Sequence, residues 1–350
     1  MVDEVIFGGR KIGNAHPCFV IAEAGVNHNG DLTMAHRLID AAVEAGADAV
    51  KFQTFTTERV ISRDAPKANY QVETTGAAES QFDMVKALEL PREAFAQLMV
   101  HCEERNILFL STPFDLESVD LLAGIGVEAF KIASGEITNL PLLEHVARNG
   151  KPMFVSTGMA NIGEVETAVQ TIVEAGNRDM VLLHCVSNYP AEPSDVNLRA
   201  MDTMARAFGV PVGYSDHTLG LEVPLAAVAL GACVIEKHFT LDNSLTGPDH
   251  RASLEPDELA RMVSGIRTVQ QSLGHGRKEP AASEANTAAV ARKSLVAARA
   301  LKAGTMLTED MIDIKRPGHG LPPSVRRNLV GRTVRVDVAE DTLFSLEMLE

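Results

Sequence analysis

This sequence is short of several features that would place it in other protein classes. Its four cysteines show no Cys-x-x-Cys spacing and stand in apolar surroundings, which favours free thiols in a reducing compartment over disulfides. Its 32 lysines and arginines are outnumbered by 47 aspartates and glutamates, which gives a net charge of -15. Nucleic acids and anionic lipid surfaces attract clustered cations, so the sequence predicts neither as a partner.

Two further absences concern targeting and membranes. The first residues include the acids Asp3 and Glu4 and lack the basic segment and apolar run of a secretory signal. The apolar stretch 221–235 is interrupted by Glu222, Pro224 and Gly231, so we predict no membrane span. Together with the free thiols, these features predict a cytoplasmic protein.

What the chain does contain is a recurring pattern of helix, glycine and short apolar run. Its 350 residues are 45% hydrophobic, enough for a large core and a second domain. Each apolar run is rich in β-forming residues and ends in polar ones. About eight such runs predict an α/β fold, a TIM (β/α)8 barrel. The runs begin at Phe19 and continue at 48–53, 107–112, 127–132, 153–157, 180–185, 210–215 and 233–239.

An open doubly wound sheet is the alternative fold. It is disfavoured because the first turn lacks a G-x-G-x-x-G loop and because polar residues end nearly every strand. In a barrel these strand ends meet at one rim, where active sites lie. The first crossover shows the pattern: Glu23 ends one strand, Lys51 and Gln53 end the next, residues 27–30 form a turn and Asp31 caps a helix.

The barrel pattern stops near Gly274, so we assign residues 1–275 to the barrel. Residues 276–291 are rich in Ala, Glu, Pro and Ser and are predicted to be a linker. Residues 292–350 contain the short runs 294–298, 311–315 and 333–336 between glycines and prolines, which predicts a small β-rich module. A module of about 60 residues has a marginal core, so we expect it to pack on something.

Side-chain alternation along the last two barrel strands predicts which residues converge inside the barrel. Asp216 and Lys237 are expected to face opposite to their neighbours in sequence. The converging set is Ser215, His217, Glu236 and His238. Imidazoles with a carboxylate or water suit a divalent metal such as Mn, Fe, Co or Zn. The alternative is a pair of structural histidines whose polar atoms are satisfied in the core.

Lys51 and Lys131 end strands that a barrel would bury, where an ammonium group needs an anion. Three partners are open: a structural ion pair with Glu23 or Glu136, a phosphate or carboxylate shared with hydroxyl donors, or the Schiff base of an aldolase. Hydroxyl side chains stand at four strand ends, which favours the oxyanion. They are Ser111, Thr112, Ser134, Ser156, Thr157 and Ser187.

Ordered motifs along nearly the whole chain carry a family resemblance. The sequence resembles the sialic acid synthase family in IAEAGVNHNGD, AVKFQTF, STPFD, FKIASGEI, STGM, GYSDHTLG, VIEKHFTLD and GPDH, and then in KRPGHG of an antifreeze-like (SAF) domain. The resemblance implies a TIM barrel followed by a small β-rich SAF domain. It also implies condensation of phosphoenolpyruvate with the open-chain aldehyde of an N-acetylated hexosamine, typically N-acetylmannosamine, to give N-acetylneuraminate and phosphate.

The matched motifs imply roles for individual residues. His217 and His238 match the ligands of a divalent metal ion, Mn2+ or Mg2+. On spacing alone Arg316 is an exposed turn residue, but it matches the SAF arginine that reaches the neighbouring subunit's site, which implies a domain-swapped homodimer. The acids near the reacting centre match Glu23, Glu136 and Glu236, and we expect Glu136 to handle water. The phosphoenolpyruvate contacts match Lys51, Thr112, Lys131, Ser134, Ser156, Ser187 and Ser215. The sugar contacts match Gln53, Tyr189 and Asp249.

The identity of the sugar stays open because the sequence departs from the common family pattern. Where that pattern has Asn-x-Tyr-Pro, this chain has Ser-Asn-Tyr-Pro at 187–190, and residues 247–256 resemble relatives that make diacetyllegionaminic acid. The alternative reaction uses 2,4-diacetamido-2,4,6-trideoxymannose and gives N,N'-diacetyllegionaminate. More distant alternatives are a Schiff-base aldolase and a non-catalytic carbohydrate-binding or ice-binding protein.

Overall fold

The computed structural model describes residues 3–350. Contacts within the chain divide it into two compact units, of which the first ends at Gly274 and the second runs from His275 to Glu350. Among the described residues, no helix combines the length and apolar character needed to cross a membrane.

The first unit contains an amino-terminal hairpin and eight parallel strands. The hairpin pairs β1 (Glu4–Phe7) with β2 (Arg10–Gly13). The parallel strands are β3 (Phe19–Gly25), β4 (Ala49–Thr54), β5 (Leu108–Pro113), β6 (Phe130–Ile132), β7 (Met153–Ser156), β8 (Met180–Cys185), β9 (Val212–Asp216) and β10 (Val234–His238).

Helices connect these strands, and several begin where a polar side chain caps the first turn. Asp31, the predicted N-cap, accepts a hydrogen bond from the Thr33 amide at 2.8 Å, which satisfies an otherwise free N–H group. The helices of this unit are α1 (Leu32–Glu44), α2 (Thr57–Val60), α3 (Asn69–Thr75), α4 (Gln81–Leu88), α5 (Arg92–Arg105), α6 (Leu116–Ile125), α7 (Leu140–Ala147), α8 (Ile162–Glu174), α9 (Ala200–Phe208), α10 (Glu222–Ala229) and α11 (Pro256–Leu273).

The hydrogen-bonded order of the eight strands is β5-β4-β3-β10-β9-β8-β7-β6. The strands at the two ends of that order, β5 and β6, lie beside each other, so the sheet curls into a nearly closed barrel. The predicted TIM barrel is therefore confirmed, and every predicted strand overlaps an observed one. The overlap has a simple reason: parallel strands covered on both faces are almost continuously apolar, which makes them visible in the sequence.

The apolar core has two parts. The larger part lies between the strands and the surrounding helices, where α1 contributes Leu38 and Ile39. The smaller part fills the barrel near the amino ends of the strands. There Phe7 of the hairpin packs on Phe19 and Phe154, with ring centroids 5.7 Å away in both cases. This hairpin is not visible in the sequence, because its four-residue strands are too short to show a period. It fills one end of the barrel with apolar groups, and the polar side chains lie at the other.

The second unit has its own apolar core, which includes Leu295, Val334 and Phe344. Its strands β11 (Ser294–Ala297) and β12 (Ile312–Lys315) pair antiparallel and match two of the predicted runs. The third run, 333–336, contributes only isolated bridges at Thr333 and Val334. Its helices are α12 (Ala285–Ala291) and α13 (Arg326–Leu329). Residues 282–291 of the predicted linker are thus helical.

Candidate active site

A cavity of about 330 Å3 lies at the carboxyl ends of the barrel strands. Side chains from β3 to β10 and from the loops that follow them line it. Most residues predicted for the site meet in this cavity. They are Glu23, Lys51, Gln53, Thr112, Lys131, Ser134, Ser156, Ser187, Tyr189, Ser215, His217, Glu236 and His238.

Two lysines and two glutamates form the centre of the cavity, and we call these four residues the charged cluster. Lys51 Nζ lies 2.8 Å from Glu23 Oε2, and Lys131 Nζ lies 3.2 Å from Glu236 Oε1. The two pairs are linked, because Lys51 Nζ is also 3.8 Å from Glu236 Oε1. Each of the four side chains is at most 4% exposed. The sequence-based alternative of an ion pair between Lys51 and Glu23 is therefore present, although it does not exclude an anionic ligand.

Burial sets the ionisation of the charged cluster. Removal from water raises the pKa of Glu23 to about 7, although Lys51 opposes the shift. Burial also lowers the pKa of Lys131, because Glu236 only partly replaces the lost hydration of the ammonium group. A carboxyl group with a pKa near 7 can give or take a proton at neutral pH, as general acid–base catalysis requires. Perturbed groups in a cleft are typical of functional sites.

A rim of hydroxyl groups surrounds the lysines. Lys51 donates to Thr112 Oγ1 at 3.1 Å, and Ser215 Oγ donates to Glu236 Oε1 at 3.0 Å. Buried Ser156 Oγ has no hydrogen-bond partner among residues 3–350, and neither does Glu236 Oε2. Buried polar atoms are normally satisfied, so such atoms in a cavity indicate where a ligand or water would bind. Two ammonium groups beside free hydroxyls suit a phosphate or a carboxylate.

Gly158 brings the backbone against this rim. Its N–H donates to Ser134 Oγ at 3.0 Å. A Cβ atom at this position would lie 2.3 Å from Ser187 Oγ and 2.7 Å from Ser134 Oγ. Only glycine leaves room for both hydroxyl groups. Gly158 therefore helps to position Ser187 and Ser134.

Two histidines and a tyrosine form another side of the cavity. The ring centroids of His217 and His238 are 5.3 Å apart, and the Tyr189 ring lies 4.1 Å from that of His217. His217 Nδ1 donates to the Val186 carbonyl at 2.7 Å, which orients the ring. Burial lowers the pKa of His238 far below its usual value. Its Nδ1 has no hydrogen-bond partner in the described chain.

These features fit a divalent cation held by two protein ligands. Neutral imidazole nitrogens bind such ions, and a ligating histidine commonly bonds a carbonyl through its second nitrogen, as His217 does. Residues 3–350 offer no group of three or more His, Cys, Asp or Glu side chains placed for one ion. Water or substrate would therefore have to complete the coordination.

Cys185, at the end of β8, lines the cavity but was not predicted as a site residue. Its Sγ lies 3.7 Å from His217 Nδ1. Burial raises the pKa of the thiol, but His217 outweighs burial and the net pKa is lowered. Burial by itself would lower the pKa of His217, but Cys185 outweighs burial and the net pKa is raised. The pairing of Cys185 with His217 favours a protonated imidazole, so a cation that binds His217 would compete with that proton. The available signal was the position of the cysteine at a strand end.

Three predicted residues lie outside this cavity. Glu136 accepts a hydrogen bond from Asn139 Nδ2 at 2.7 Å and is absent from the cavity lining. Asp249 lines an adjoining cavity, and burial raises its pKa to about 6. Arg316 belongs to the second unit.

The outward side of the last two strands holds a different ion pair. Lys237 Nζ lies 2.5 Å from Asp216 Oδ2, and both side chains are completely buried. Lys237 also donates to the Thr218 carbonyl, and Asp216 accepts from the Tyr214 hydroxyl at 3.0 Å. The predicted alternation is confirmed: Glu236 and His238 line the cavity, and Lys237 does not.

The fold and the site define a (β/α)8-barrel protein with a buried cluster of lysines and glutamates at the carboxyl ends of its strands. Comparison with known families is consistent with this class. The chain belongs to the NeuB family, which it matches over residues 38–278, and it carries an SAF domain over residues 292–350. The predicted resemblance is thereby confirmed.

Individual relatives resemble this chain over nearly its whole length. It is 50% identical to the N,N'-diacetyllegionaminic acid synthase of Campylobacter jejuni, over 93% of this chain and 98% of the relative. It is 45% identical to the enzyme of the same name from Legionella pneumophila, over 99% and 98%. A solved structure of N-acetylneuraminic acid (sialic acid) synthetase from Leptospira borgpetersenii, in complex with citrate, is 42% identical, with a TM-score of 0.71 and coverage of 81% of this chain and 94% of that one.

Proposed function

We propose that this chain is a nonulosonic (sialic) acid synthase. It condenses phosphoenolpyruvate with the open-chain aldehyde of an N-acetylated mannosamine-type sugar and with water, and it releases phosphate. When the sugar is N-acetylmannosamine, the product is N-acetylneuraminate. The observation that carries the proposal is the pair of buried lysines beside a hydroxyl rim with an unpartnered Ser156. Phosphoenolpyruvate places a phosphate and a carboxylate on three carbons, which suits two cations in one cavity.

The lysines of the charged cluster hold the two anionic groups of phosphoenolpyruvate in this proposal. An anion would replace the hydration that burial removes from Lys131, whose pKa is otherwise lowered. The hydroxyl donors that complete the contacts are Thr112, Ser134, Ser156, Ser187 and Ser215. Because these donors come from different strands, they hold the substrate at a fixed position in the barrel.

The reaction needs one proton donor and one proton acceptor. As C3 of phosphoenolpyruvate attacks the aldehyde carbon, the aldehyde oxygen gains a proton, and the water that adds at C2 loses one. Glu23 suits either step, because burial raises its pKa to about 7. Glu136, which we expected to handle water, does not line the cavity. We therefore propose that Glu23 and Glu236 are the acids nearest the reacting atoms.

His217 and His238 hold the divalent metal ion, Mn2+ or Mg2+, in this proposal. When bound, such an ion polarises the sugar aldehyde. The hydrogen bond from His217 to the Val186 carbonyl fixes the orientation of that ring. Burial keeps His238 neutral and able to ligate.

Diacetyllegionaminate synthesis is the second candidate function. Two relatives, 50% and 45% identical to this chain, carry that name. Its sugar, 2,4-diacetamido-2,4,6-trideoxymannose, reacts through the same aldehyde, so the charged cluster serves both candidates equally.

We also propose a cytoplasmic, domain-swapped homodimer in which Arg316 completes the partner's site. The SAF domain supports the assembly, and the four buried free cysteines support a reducing compartment. Light scattering on the purified chain should give the mass of a dimer. A monomeric mass with full activity would exclude the swap.

The deciding experiment measures phosphate release from phosphoenolpyruvate with each candidate sugar. We expect release to require a sugar, to stop with EDTA and to return when Mn2+ or Mg2+ is added. Absence of release with any N-acylated hexosamine would reject the synthase function, and turnover insensitive to EDTA would reject the metal.

The same preparation separates the two remaining alternatives. A Schiff-base aldolase would use free pyruvate and be trapped by borohydride at Lys51 or Lys131, whereas we expect no trapping. A non-catalytic carbohydrate-binding protein would bind sugar without releasing phosphate.

A further inference from the structure

Two segments that are far apart in the sequence meet beside the active-site cavity. Strand β10 pairs with β3, and His238 lies opposite Glu23 in that pairing. The loop that follows β10, residues 239–253, therefore runs beside the turn that follows β3, residues 26–30. Both segments contain residues of the family motifs, but among them only Asp249 has a predicted role in the reaction.

His250 forms the first link between the two segments and is completely buried. Burial lowers its pKa to about 4, so the ring is neutral, with one nitrogen that donates and one that accepts. Nε2 donates to Asn29 Oδ1 at 3.1 Å, and Nδ1 accepts from the Thr240 hydroxyl at 2.7 Å. The protein thus uses both nitrogens of this ring, and neither is left for a substrate.

Asn27 forms the second link and is also buried. Its Nδ2 donates to the Phe239 carbonyl and to Ser253 Oγ, at 2.9 Å in both cases. Ser253 Oγ in turn donates to the Asp249 carbonyl at 2.7 Å. This second link therefore ends on the backbone of Asp249.

Gly247 allows the two segments to approach this closely. A Cβ atom at its position would lie 2.6 Å from His250 Cδ2 and 3.0 Å from Asn29 Oδ1. Any side chain there would force Asn29 and His250 apart. We call the four residues whose side chains link the segments the clamp: Asn27, Asn29, His250 and Ser253.

The clamp holds Asp249 at the edge of the active site. A cavity of about 190 Å3 adjoins the first cavity and shares Tyr189 and His238 with it. The Asp249 side chain lines this second cavity, and its Oδ2 lies 3.9 Å from His238 Nδ1. A sugar whose aldehyde is at the histidines is therefore within reach of this carboxylate, which accepts hydrogen bonds from hydroxyl and amide groups.

We propose that the clamp positions the Asp249 carboxylate for the sugar, with Asn29 and His250 as positioning residues that act through Asp249. This inference rests on the proposed function. No clamp residue lines either cavity, so none contacts the substrate directly. Without the clamp, sugar binding would have to order the loop after β10, which lowers affinity. The predicted phosphoenolpyruvate contacts lie on or after strands β4 to β9, so the clamp should leave the affinity for that substrate unchanged.

The test measures KM for each substrate in the phosphate-release assay, with whichever of the two candidate sugars the parent chain turns over. Asn29→Gly removes one link, and glycine suits the backbone there because φ is +51°. We expect KM for the sugar to rise about 5- to 10-fold and KM for phosphoenolpyruvate to stay within about twofold. Asn29→Asp keeps an oxygen that can accept from His250, so it should retain the sugar KM of the parent chain.

A double variant shows whether the clamp acts through Asp249. Asp249→Asn should raise KM for the sugar about tenfold or more, and Asn29→Gly/Asp249→Asn should raise it no further. Asn106→Gly is the matched control, because Asn106 also has a positive φ, +57°, but lines neither cavity. We expect both KM values of this control to match those of the parent chain.

Ser253→Ala is an independent variant in case Asn29→Gly is poorly folded, and it should give the same selective rise in KM for the sugar. Equal rises in both KM values, or rises that multiply in the double variant, would overturn the inference while leaving the synthase function intact. So would a lower melting temperature with both KM values unchanged. No phosphate release by the parent chain with either sugar would reject the synthase function, and this inference with it.

Discussion

Buried lysines lie on both sides of strand β10, in contrasting surroundings. Its own Lys237 is on the outward side, and Lys131 and Lys51 of other strands face its inward side. On the outward side, Lys237 has protein partners for two of its three N–H donors, Asp216 at 2.5 Å and the Thr218 carbonyl, and it has no exposed surface. On the inward side, Glu236 lies between Lys131 and Lys51, at 3.2 and 3.8 Å, and one of its oxygens has no hydrogen-bond partner among residues 3–350.

This contrast separates a structural ion pair from a binding site. A buried charge whose partners are all supplied by the protein stabilises one conformation and has nothing left for a ligand. A buried cluster with unsatisfied atoms next to a cavity keeps part of its hydrogen-bonding capacity for a substrate. Burial alone does not distinguish the two cases, because all of these side chains are at most 4% exposed.

The largest expected effect is on the structural side. Lys237→Met should lower the free energy of unfolding by about 3–5 kcal/mol, because Asp216 would remain buried without its cation. Chemical denaturation measures the change. The double variant Lys237→Met/Asp216→Leu should recover part of the loss, since neither charge is then left alone. A single variant as stable as the parent chain would contradict the structural role.

The inward side should show the opposite behaviour. Lys131→Met should lower kcat/KM for phosphate release by about 10²- to 10³-fold, because one fixed cation for the anionic substrate is lost. Thermal unfolding should change little, since Glu236 keeps Lys51 and Ser215 as neighbours. Lys151→Met, at an exposed loop position, is the control. Full activity of Lys131→Met would remove this residue from the site.

A third effect concerns a buried histidine that does not line the cavity. His28 accepts a hydrogen bond from the Gly30 amide at 3.0 Å, and burial lowers its pKa from 6.5 to about 4. The unfolded chain binds a proton at His28 more readily than the folded chain does, so acid favours unfolding. Neutral His28 therefore makes its full contribution to stability only above pH 6.5. That stability should fall by roughly 3 kcal/mol as the pH drops to 4. Chemical denaturation of the parent chain and of His28→Gln, at pH 6.5 and at pH 4, measures this loss in the free energy of unfolding. An equal loss in the two proteins would argue against His28 as its cause.

The smallest effect tests how tightly the hydroxyl rim is built. Gly158→Ala places a methyl group against Ser187 and Ser134, so one serine must move. We expect kcat/KM to fall about tenfold, or about 1.4 kcal/mol of transition-state stabilisation, with unchanged melting temperature. Gly124→Ala, in α6, is the control because a Cβ atom there would have no heavy atom within 4 Å. Equal losses in the two variants would indicate a general structural effect.

Much of the site followed from position in the sequence. Lys51, Lys131 and Glu236 were found because each charged residue ends an apolar strand, where a barrel gathers its chemistry. The same rule applies to Cys185, which the sequence otherwise predicts only to be a free thiol. For Glu136 the family motif suggests a place in the site; the turn after β6 puts its neighbours Ser134 and Gly135 in the cavity lining and gives Glu136 a hydrogen bond from Asn139, so its role stays a prediction.

The sequence by itself determined the order of the barrel strands, the alternation that puts Glu236 inward and Lys237 outward, and the NeuB family. These are local or cumulative properties: an apolar run, a period of two and a series of motifs are all visible along the chain. Only the tertiary structure decided that Phe7 fills one end of the barrel, that Asp216 pairs with Lys237, and that Cys185 lies beside His217 in the cavity. Such facts depend on distances between side chains from separate elements, and those distances exist only once the barrel has closed.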